Sequence, residues 1–309
     1  LISQLLDAAR AAGADGADAG MSRSEGTSVT VRLGKVESAE RSEDVGAALR
    51  VFVGKRNASV STSQLDKDSI TELAERAVAM AKVAPEDPYV RLATSDEVAS
   101  DLPEIDLYDP AIPAVEALTH TATAVEAAAL DSAGITNSEG GSASHGEANM
   151  MIATSNGFSA NYKRSSQGFS AVVIAEKDGA MERDYDYSAA VYGVDLDTPE
   201  AIGKSAAART LSRLGPQKPP TGQFSVIYDQ RVSGSIVGTL AGAINGASIA
   251  RGTSFLKDSM GEQVTSSGLT FIDDPLRPRG MASRLFDGEG LPVHKRAMVE
   301  DGVLKSWFL

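Results

Sequence analysis

Cysteine is absent from this 309-residue sequence. That removes disulfides, thiolate nucleophiles and cysteine-ligated metals in one stroke, and a cytoplasmic protein is the simplest reading. Histidine is scarce too. His120, His145 and His294 are the only ones, and none has a second histidine at the spacing that puts two imidazoles on one helix face. His145-Gly146-Glu147 could offer two ligands from alternate positions of a strand. No third ligand is identifiable, so a surface pair is the expectation. Aromatics make up only 5% of the chain, so its core must lean on Ala and Gly in close backbone packing. No run approaches the roughly 18 uncharged apolar residues of a membrane span. The opening LISQLLDAAR lacks the basic-then-apolar order of a signal peptide. Positive charge is in deficit, with 29 Lys and Arg against 42 Asp and Glu and a net charge of −13. Phosphates would be repelled, which argues against a general affinity for nucleic acid or anionic lipid.

Familiar catalytic signatures are missing as well. There is no G-x-S-x-G nucleophile elbow. Gly203-Lys204-Ser205 resembles the end of a phosphate loop, but Thr198 stands where the loop needs glycine. That segment reads instead as a helix start, with Thr198 as N-cap, Pro199 in the first turn and Glu200 near the positive dipole end. The acidic pairs Asp184/Asp186 and Asp273/Asp274 read as solvated faces or turns, because spacing alone cannot raise a pKa.

What is present has a regular grammar. Ile2, Leu5, Leu6 and Ala9 recur at helical spacing and Gly13 is placed to stop that helix. Period-two alternation follows through Val29, Val31 and Leu33, then through Leu49, Val51 and Val53, with turns near Gly34-Lys35 and Gly54-Lys55. Helical spacing returns from Leu65 to Val83, and residues 84–113 read as a linker. A second segment repeats the pattern: an Ala-rich helix from Ala114 to Leu130, then a long meander with hairpin turns at Asn156-Gly157 and Asp178-Gly179. A helix from Pro199 to Leu214 closes it. GPQKPPTG, with three prolines in eight residues, marks a boundary. FSVIYD then predicts a strand, and alternating runs continue to Gly302–Leu309. Three domains are expected, over 1–100, 104–219 and 221–309, the last incomplete at Leu309 because its final strand stops at a raw terminus. The fold class is α+β, with antiparallel sheets and flanking helices.

Gly234, Gly238, Gly242 and Gly246 are spaced four apart, which on one helix would line one face. Each glycine costs a helix about 1 kcal/mol relative to Ala. Close approach of another backbone would offset that cost, either inside the domain or across a seam facing a partner or a peptide. The short apolar length and Asn245 exclude membrane-helix dimerisation.

An ordered set of short stretches resembles the TldD/PmbA family, known as modulators of DNA gyrase. It comprises Arg32-Leu-Gly-Lys-Val-Glu37, Gly46-Ala-Ala-Leu-Arg50-Val-Phe-Val-Gly54, Thr154-Ser-Asn156-Gly157-Phe158 and Arg251-Gly252-Thr253-Ser254-Phe255-Leu256. Gly261-Glu-Gln263-Val, Asp273-Asp274-Pro275, Phe286-Asp-Gly-Glu-Gly290 and Glu300-Asp-Gly-Val-Leu-Lys305 complete it. The resemblance spans nearly the whole chain. It implies that family members continue well past Leu309. It also implies, for the catalytic branch, a His-Glu-x-x-x-His motif just before the Arg-Gly-Thr-Ser stretch, with two histidines on zinc and the glutamate as base. The corresponding positions here are Val237-Gly238-Thr239-Leu240-Ala241-Gly242.

The expectation is therefore the PmbA (TldE) branch: no catalytic residue, no metal ligand and no cofactor in this chain, with zinc in a TldD-like partner subunit. Alone, the chain would form a homo-oligomer. The substrate implied is an unfolded or extended peptide, held by β-augmentation at sheet edges. Neither direct nucleic-acid binding nor a membrane is expected. The residues best placed for contact with substrate or partner are Asn156, Gly157, Arg183, Tyr185, Gly238, Gly242, Arg251 and Ser254. Two rival readings are an independent hydrolase with non-zinc chemistry and a regulatory module acting on gyrase.

Overall fold

The computed structural model describes residues 1–308; Leu309 lies outside the described residues. The chain divides into two compact units, one of residues 1–216 and 276–293, the other of 217–275 and 294–309.

The first unit is built on strand length. Strands β1 (Gly16–Arg32), β2 (Lys35–Val53), β4 (Ile135–Thr154) and β5 (Ser159–Lys177) run for 17 to 20 residues. With β3 (Arg56–Thr62) and β6 (Ala180–Ala190) they form one antiparallel sheet in the order β3-β2-β1-β4-β5-β6. At about 3.3 Å per residue the long strands reach roughly 55–65 Å. Both helix-and-strand segments of the sequence thus contribute to a single sheet, joined where β1 pairs β4 from Asp18↔Thr154 to Val31↔Gly141.

Two helix pairs cover opposite ends of one sheet face. Helices α1 (Ile2–Ala11) and α2 (Lys67–Val83) bury Leu5, Ala9, Leu73 and Ala77 against Ala17, Ala19, Leu49, Val51 and Ala153. Helices α3 (Val115–Leu130) and α4 (Pro199–Ser212) bury Leu118, Val125, Ile202 and Ala206 against Val29, Val31, Ala143, Phe169 and Val173. Thr198 caps α4 through the Ala201 N–H, as the sequence suggests. Asp184 and Asp186 are not solvated. Both are buried; Arg213 at the C-cap of α4 reaches Asp184 at 3.4 Å, and Arg209 reaches Asp186 at 2.9 Å. Their strand turns them under the helix, where guanidinium partners offset desolvation.

A buried carboxylate ties the far end of the sheet to its helices. Glu126 of α3, 1% exposed, accepts the Leu33 and Gly34 N–H groups at 2.9 Å each. Those two residues form the β1–β2 turn, both at positive φ (50° and 73°), so their amides aim outward together.

The second unit holds α5 (Gln230–Ala243), α6 (Gly246–Ala250) and a small sheet β7-β8-β9 of Phe271–Asp273, Arg296–Glu300 and Val303–Leu304. Its core is Ile244, Met298, Val299 and Leu304. FSVIYD is not a strand. Residues 223–229 have no regular structure, and Phe224, Val226, Ile227 and Tyr228 are exposed; no neighbouring strand among the described residues supplies the ladder an extended segment needs.

The glycine series is not one helical face either. Asn245 accepts the Ser248 N–H and starts α6, so Gly246 begins a second helix. A methyl group placed on Gly234, Gly238 or Gly242 would meet nothing within 4 Å, so among the described residues no backbone packs on that strip. The tight seam lies elsewhere. A Cβ on Gly203 of α4 would stand 2.5 Å from the Val125 carbonyl oxygen and 2.8 Å from Ala128 Cβ, and one on Gly141 would collide with the Ala122 carbonyl.

These contacts predict opposite signs for one substitution. Gly203→Ala overpacks the α3–α4 seam and should cost about 1–3 kcal/mol. Gly238→Ala should leave denaturant stability unchanged or raise it by up to about 1 kcal/mol. Glu126→Gln, which turns a donor toward two N–H groups, should cost about 1.5–3 kcal/mol.

Candidate functional site

Between the two helix pairs the sheet is thin, and its opposite face is open. Register places Gly20, Ala48 and Ile152 in one row of that face and Ser22, Gly46, Met150 and Tyr162 in the next. Gly20, Ser22, Gly46 and Ala48, with Met150 and Ile152 beside them, floor a cleft of about 1010 Å³. Ser61–Gln64, where β3 ends, bound it on one side, and Tyr162, Arg164, Arg284, Phe286, Asp287 and Gly288 on the other.

The second wall is a strap, residues 276–293, that belongs to the first unit although sequence on both sides of it belongs to the second. Arg279 anchors one end, lying 3.2 Å from Asp195 and 3.9 Å above the Tyr192 ring. The other end is fixed by Phe286, edge-on to Phe158 and Tyr162 at 5.6 and 5.5 Å, and by the Ala99 N–H on the Gly290 carbonyl. Arg50 adds an ionic lock. It pairs with Asp18 across the β1–β2 ladder at 2.7 Å and with Glu289 of the strap at 2.9 Å. Burial pushes the Asp18 carboxyl up, and Arg50 opposes that shift. The cleft thus offers a floor with accessible backbone, an aromatic and Met wall, two arginines and two aspartates. It suits an extended chain more than a compact metabolite.

The helix face carries a second polar concentration in the gap between helix pairs. Arg23, Glu25, Arg41 and Glu43 form an exposed ionic lattice there. Beside it lies His145, which is no surface residue: it is 6% exposed, and its Nε2 is buried without a hydrogen-bond partner. The linker covers it. Asp109 donates its backbone N–H to Ser165 Oγ and accepts from Gln167 Nε2 and the Gly193 N–H, while Tyr108 donates to Glu147. Burial lowers the His145 pKa against the opposing pull of Glu147 and Asp109.

The residues singled out by sequence do not converge. Asn156 and Gly157 form the β4–β5 turn, with Asn156 held by Thr154 and the Ala93 carbonyl. Arg183 and Tyr185 sit on β6, with Tyr185 opposite Val172, which puts them roughly 45 Å along the sheet from that turn. Arg183 chelates Glu139 at 2.7 and 2.9 Å, and Tyr185 stacks on Tyr187. The other four lie in the second unit. Gly238 and Gly242 are exposed on α5, Arg251 is the exposed C-cap of α6, and Ser254 is buried, donating to the Ala243 carbonyl. Sequence reasoning missed the cleft. Its signal was the run of small residues at every second position of Gly20-Met-Ser22-Arg-Ser24-Glu-Gly26-Thr-Ser28, one face of a strand with nothing bulky on it.

Among the described residues no three His, Cys, Asp or Glu side chains are placed to hold a metal ion. The α5 positions 237–242 carry Val, Gly, Thr, Leu, Ala and Gly, which are no donor set. No helix is long and apolar enough to cross a membrane among the described residues.

The fold and domain sequence are those of a metallopeptidase class. Models of PmbA/TldA metallopeptidase domain 1, the central domain and the C-terminal domain match residues 17–81, 108–214 and 221–309 in that order. This chain belongs to the PmbA/TldD family. It is 36% identical over 296 residues to Metalloprotease PmbA of Escherichia coli O157:H7, covering 96% of this chain and 66% of that protein. It is 33% identical to the PmbA homolog of Haemophilus influenzae, covering 100% and 68%. The chain thus spans about two thirds of the length of these relatives. A crystal structure from Bacteroides thetaiotaomicron, described as a modulator of DNA gyrase, superposes with a TM-score of 0.91 at 26% identity, over 100% of this chain and 71% of that one. TldE from Thermococcus kodakarensis shares the fold, with a TM-score of 0.80 at 19% identity, over 99% and 69%.

The linker cluster has a pH signature. Backbone N–H groups of Gly193 and Ala111 hold the Asp109 carboxyl below its ordinary value. A depressed folded pKa contributes stability that is present above the ordinary carboxylate pKa of about 3.9 and lost as pH falls through the folded value. Asp109→Asn should therefore lower stability at pH 7 by about 1–3 kcal/mol and flatten the acid limb of a melting-temperature profile.

Proposed function

We propose that this chain is the non-catalytic subunit of a two-subunit zinc peptidase, working in the cytoplasm, and that its cleft helps hold an extended peptide. The observation that carries this reading is the character of α5. Where the resemblance places the zinc helix of catalytic members, positions 237–242 are small or aliphatic, and zinc ligation there has no donors. On this reading the zinc chemistry comes from a second, zinc-bearing family member. What this chain contributes is binding. The open floor of Gly20, Ser22, Gly46 and Ala48 accepts a main chain at close range, and the Tyr162–Phe286 wall takes apolar side chains without demanding one sequence.

Two measurements test the reading. Co-expressed with a family member that carries His-Glu-x-x-x-His, this chain should co-purify with it, and peptide cleavage should need both; metal analysis should find zinc in the partner alone. Stoichiometric zinc in this chain by itself, or cleavage by it alone, would overturn the proposal. For the cleft, Gly20→Tyr sets a ring on the open floor, and its Cβ would lie 4.0 Å from the nearest atom, the Met151 carbonyl oxygen. It should weaken binding of a fluorescent unfolded peptide by about tenfold, or 1.4 kcal/mol, at unchanged melting temperature.

A further inference from the structure

One row of the sheet carries opposite charges at its two ends. On the open face Asp44 of β2 pairs with Ser24 of β1, Ser24 with Ala148 of β4, and Ala148 with Arg164 of β5. Paired residues point to one face, so Asp44 and Arg164 rise from the same floor, and both line the cleft. Three strand spacings separate them, about 14 Å. Between them stand only the small side chains of Ser24 and Ala148, which line a lesser hollow that Arg164 shares with the cleft.

These end charges are available to a ligand. Asp44 is exposed and has no ion pair among the described residues, and the same holds for Arg284 on the strap wall. Arg164 is half-buried; it donates from Nη2 to the Met281 carbonyl and keeps further N–H donors. The other carboxylate of the cleft, Asp287, is already taken by the Glu289 and Leu291 N–H groups. The cleft is therefore anionic on its β2 side and cationic on its strap side. An extended peptide rises 3.3–3.6 Å per residue, so about four residues cover the gap. Strands β1 and β4 are paired on both sides, so their backbone groups are used within the sheet and cannot hold a peptide by augmentation. Its ends must fix it instead. We infer that the cleft takes a short peptide with both ends free, about four residues long, laid across the strands with its ammonium at Asp44 and its carboxylate at Arg164 and Arg284. The inference rests on the reading of the cleft as a peptide site and adds which peptides it prefers. A longer chain can lie on the same floor but satisfies one end at most.

Titration calorimetry of the chain with the peptide Ser-Leu-Ala-Ser, both ends free, reads the affinity. Amidating the C-terminus should weaken binding about tenfold, because a half-buried guanidinium loses a charge-assisted hydrogen bond. Acetylating the N-terminus should weaken it about threefold, since Asp44 is exposed and its pairing is worth less. Two variants trace each loss to its side chain. Asp44→Asn should bind the free and acetylated peptides alike and still reject the amide. Arg284→Gln should shrink the amide penalty and keep the acetyl one. Both positions are exposed, so melting temperatures should not move. Equal binding of the free, acetylated and amidated peptides by the native chain would overturn the inference and leave the cleft a peptide site. So would a doubly blocked Lys-Ala-Ala-Glu that binds as tightly as the free-ended peptide, since side-chain charges rather than chain ends would then be read. If no peptide of any form bound, the reading of the cleft as a peptide site would fall with it.

Discussion

The governing constraint is a mismatch of lengths. Strands of 17 to 20 residues extend roughly 55–65 Å, while the helices that cover them have 10 to 17 residues and reach only about 15–26 Å. Two helix pairs therefore bury the two ends of one face and leave the middle bare. Everything distinctive in the first unit follows from that gap. The middle of the helix face must be polar, which accounts for the Arg23, Glu25, Arg41 and Glu43 lattice and for the linker drawn across His145. The ends must be held in place over a long lever, and the Glu126 carboxylate does this at the β1–β2 turn. The uncovered opposite face is free to become a cleft, and β3, too short to follow β2, leaves its edge open.

Much of this was legible in residue spacing, because local rules and tertiary packing agree there. Thr198 and Pro199 start α4, Asn156-Gly157 and Asp178-Gly179 turn the meander, and the alternation of Leu49, Val51 and Val53 marks a half-buried strand. Legibility failed where a distant element decides the environment. Asp184 and Asp186 look like a solvated pair until α4 brings Arg209 and Arg213 over them. His145 looks exposed until a linker 36 positions earlier crosses it, a distance visible in the numbering of Asp109. The glycine series has the spacing of a helix face, yet Asn245 interrupts it, and the backbone contact it suggested occurs instead at Gly203 and Gly141. The cleft was written as an alternation of small residues, which spacing alone cannot separate from a weak strand.

Family membership and site geometry speak to different questions. The three matched domains place the chain among the PmbA/TldD metallopeptidases. On the proposed reading, the cleft of the first unit and, separately, the donor-poor α5 of the second leave bond cleavage to a second chain. A peptidase that divides these labours between two chains gains a substrate path whose walls can vary without disturbing its metal.

The strap has a consequence for ancestry and engineering. The C-terminal family domain is a continuous stretch of sequence, 221–309, but residues 276–293 within it are a physical part of the first unit. A chimera assembled at the sequence boundary would carry a foreign strap against native Asp18 and Arg50. Unless the incoming piece also brought a carboxylate in place of Glu289 and room at Gly290 for the Phe158 ring, the hybrid would inherit both cores and lose the cleft between sheet and strap. A chimera that moves strap and strands together should keep the cleft.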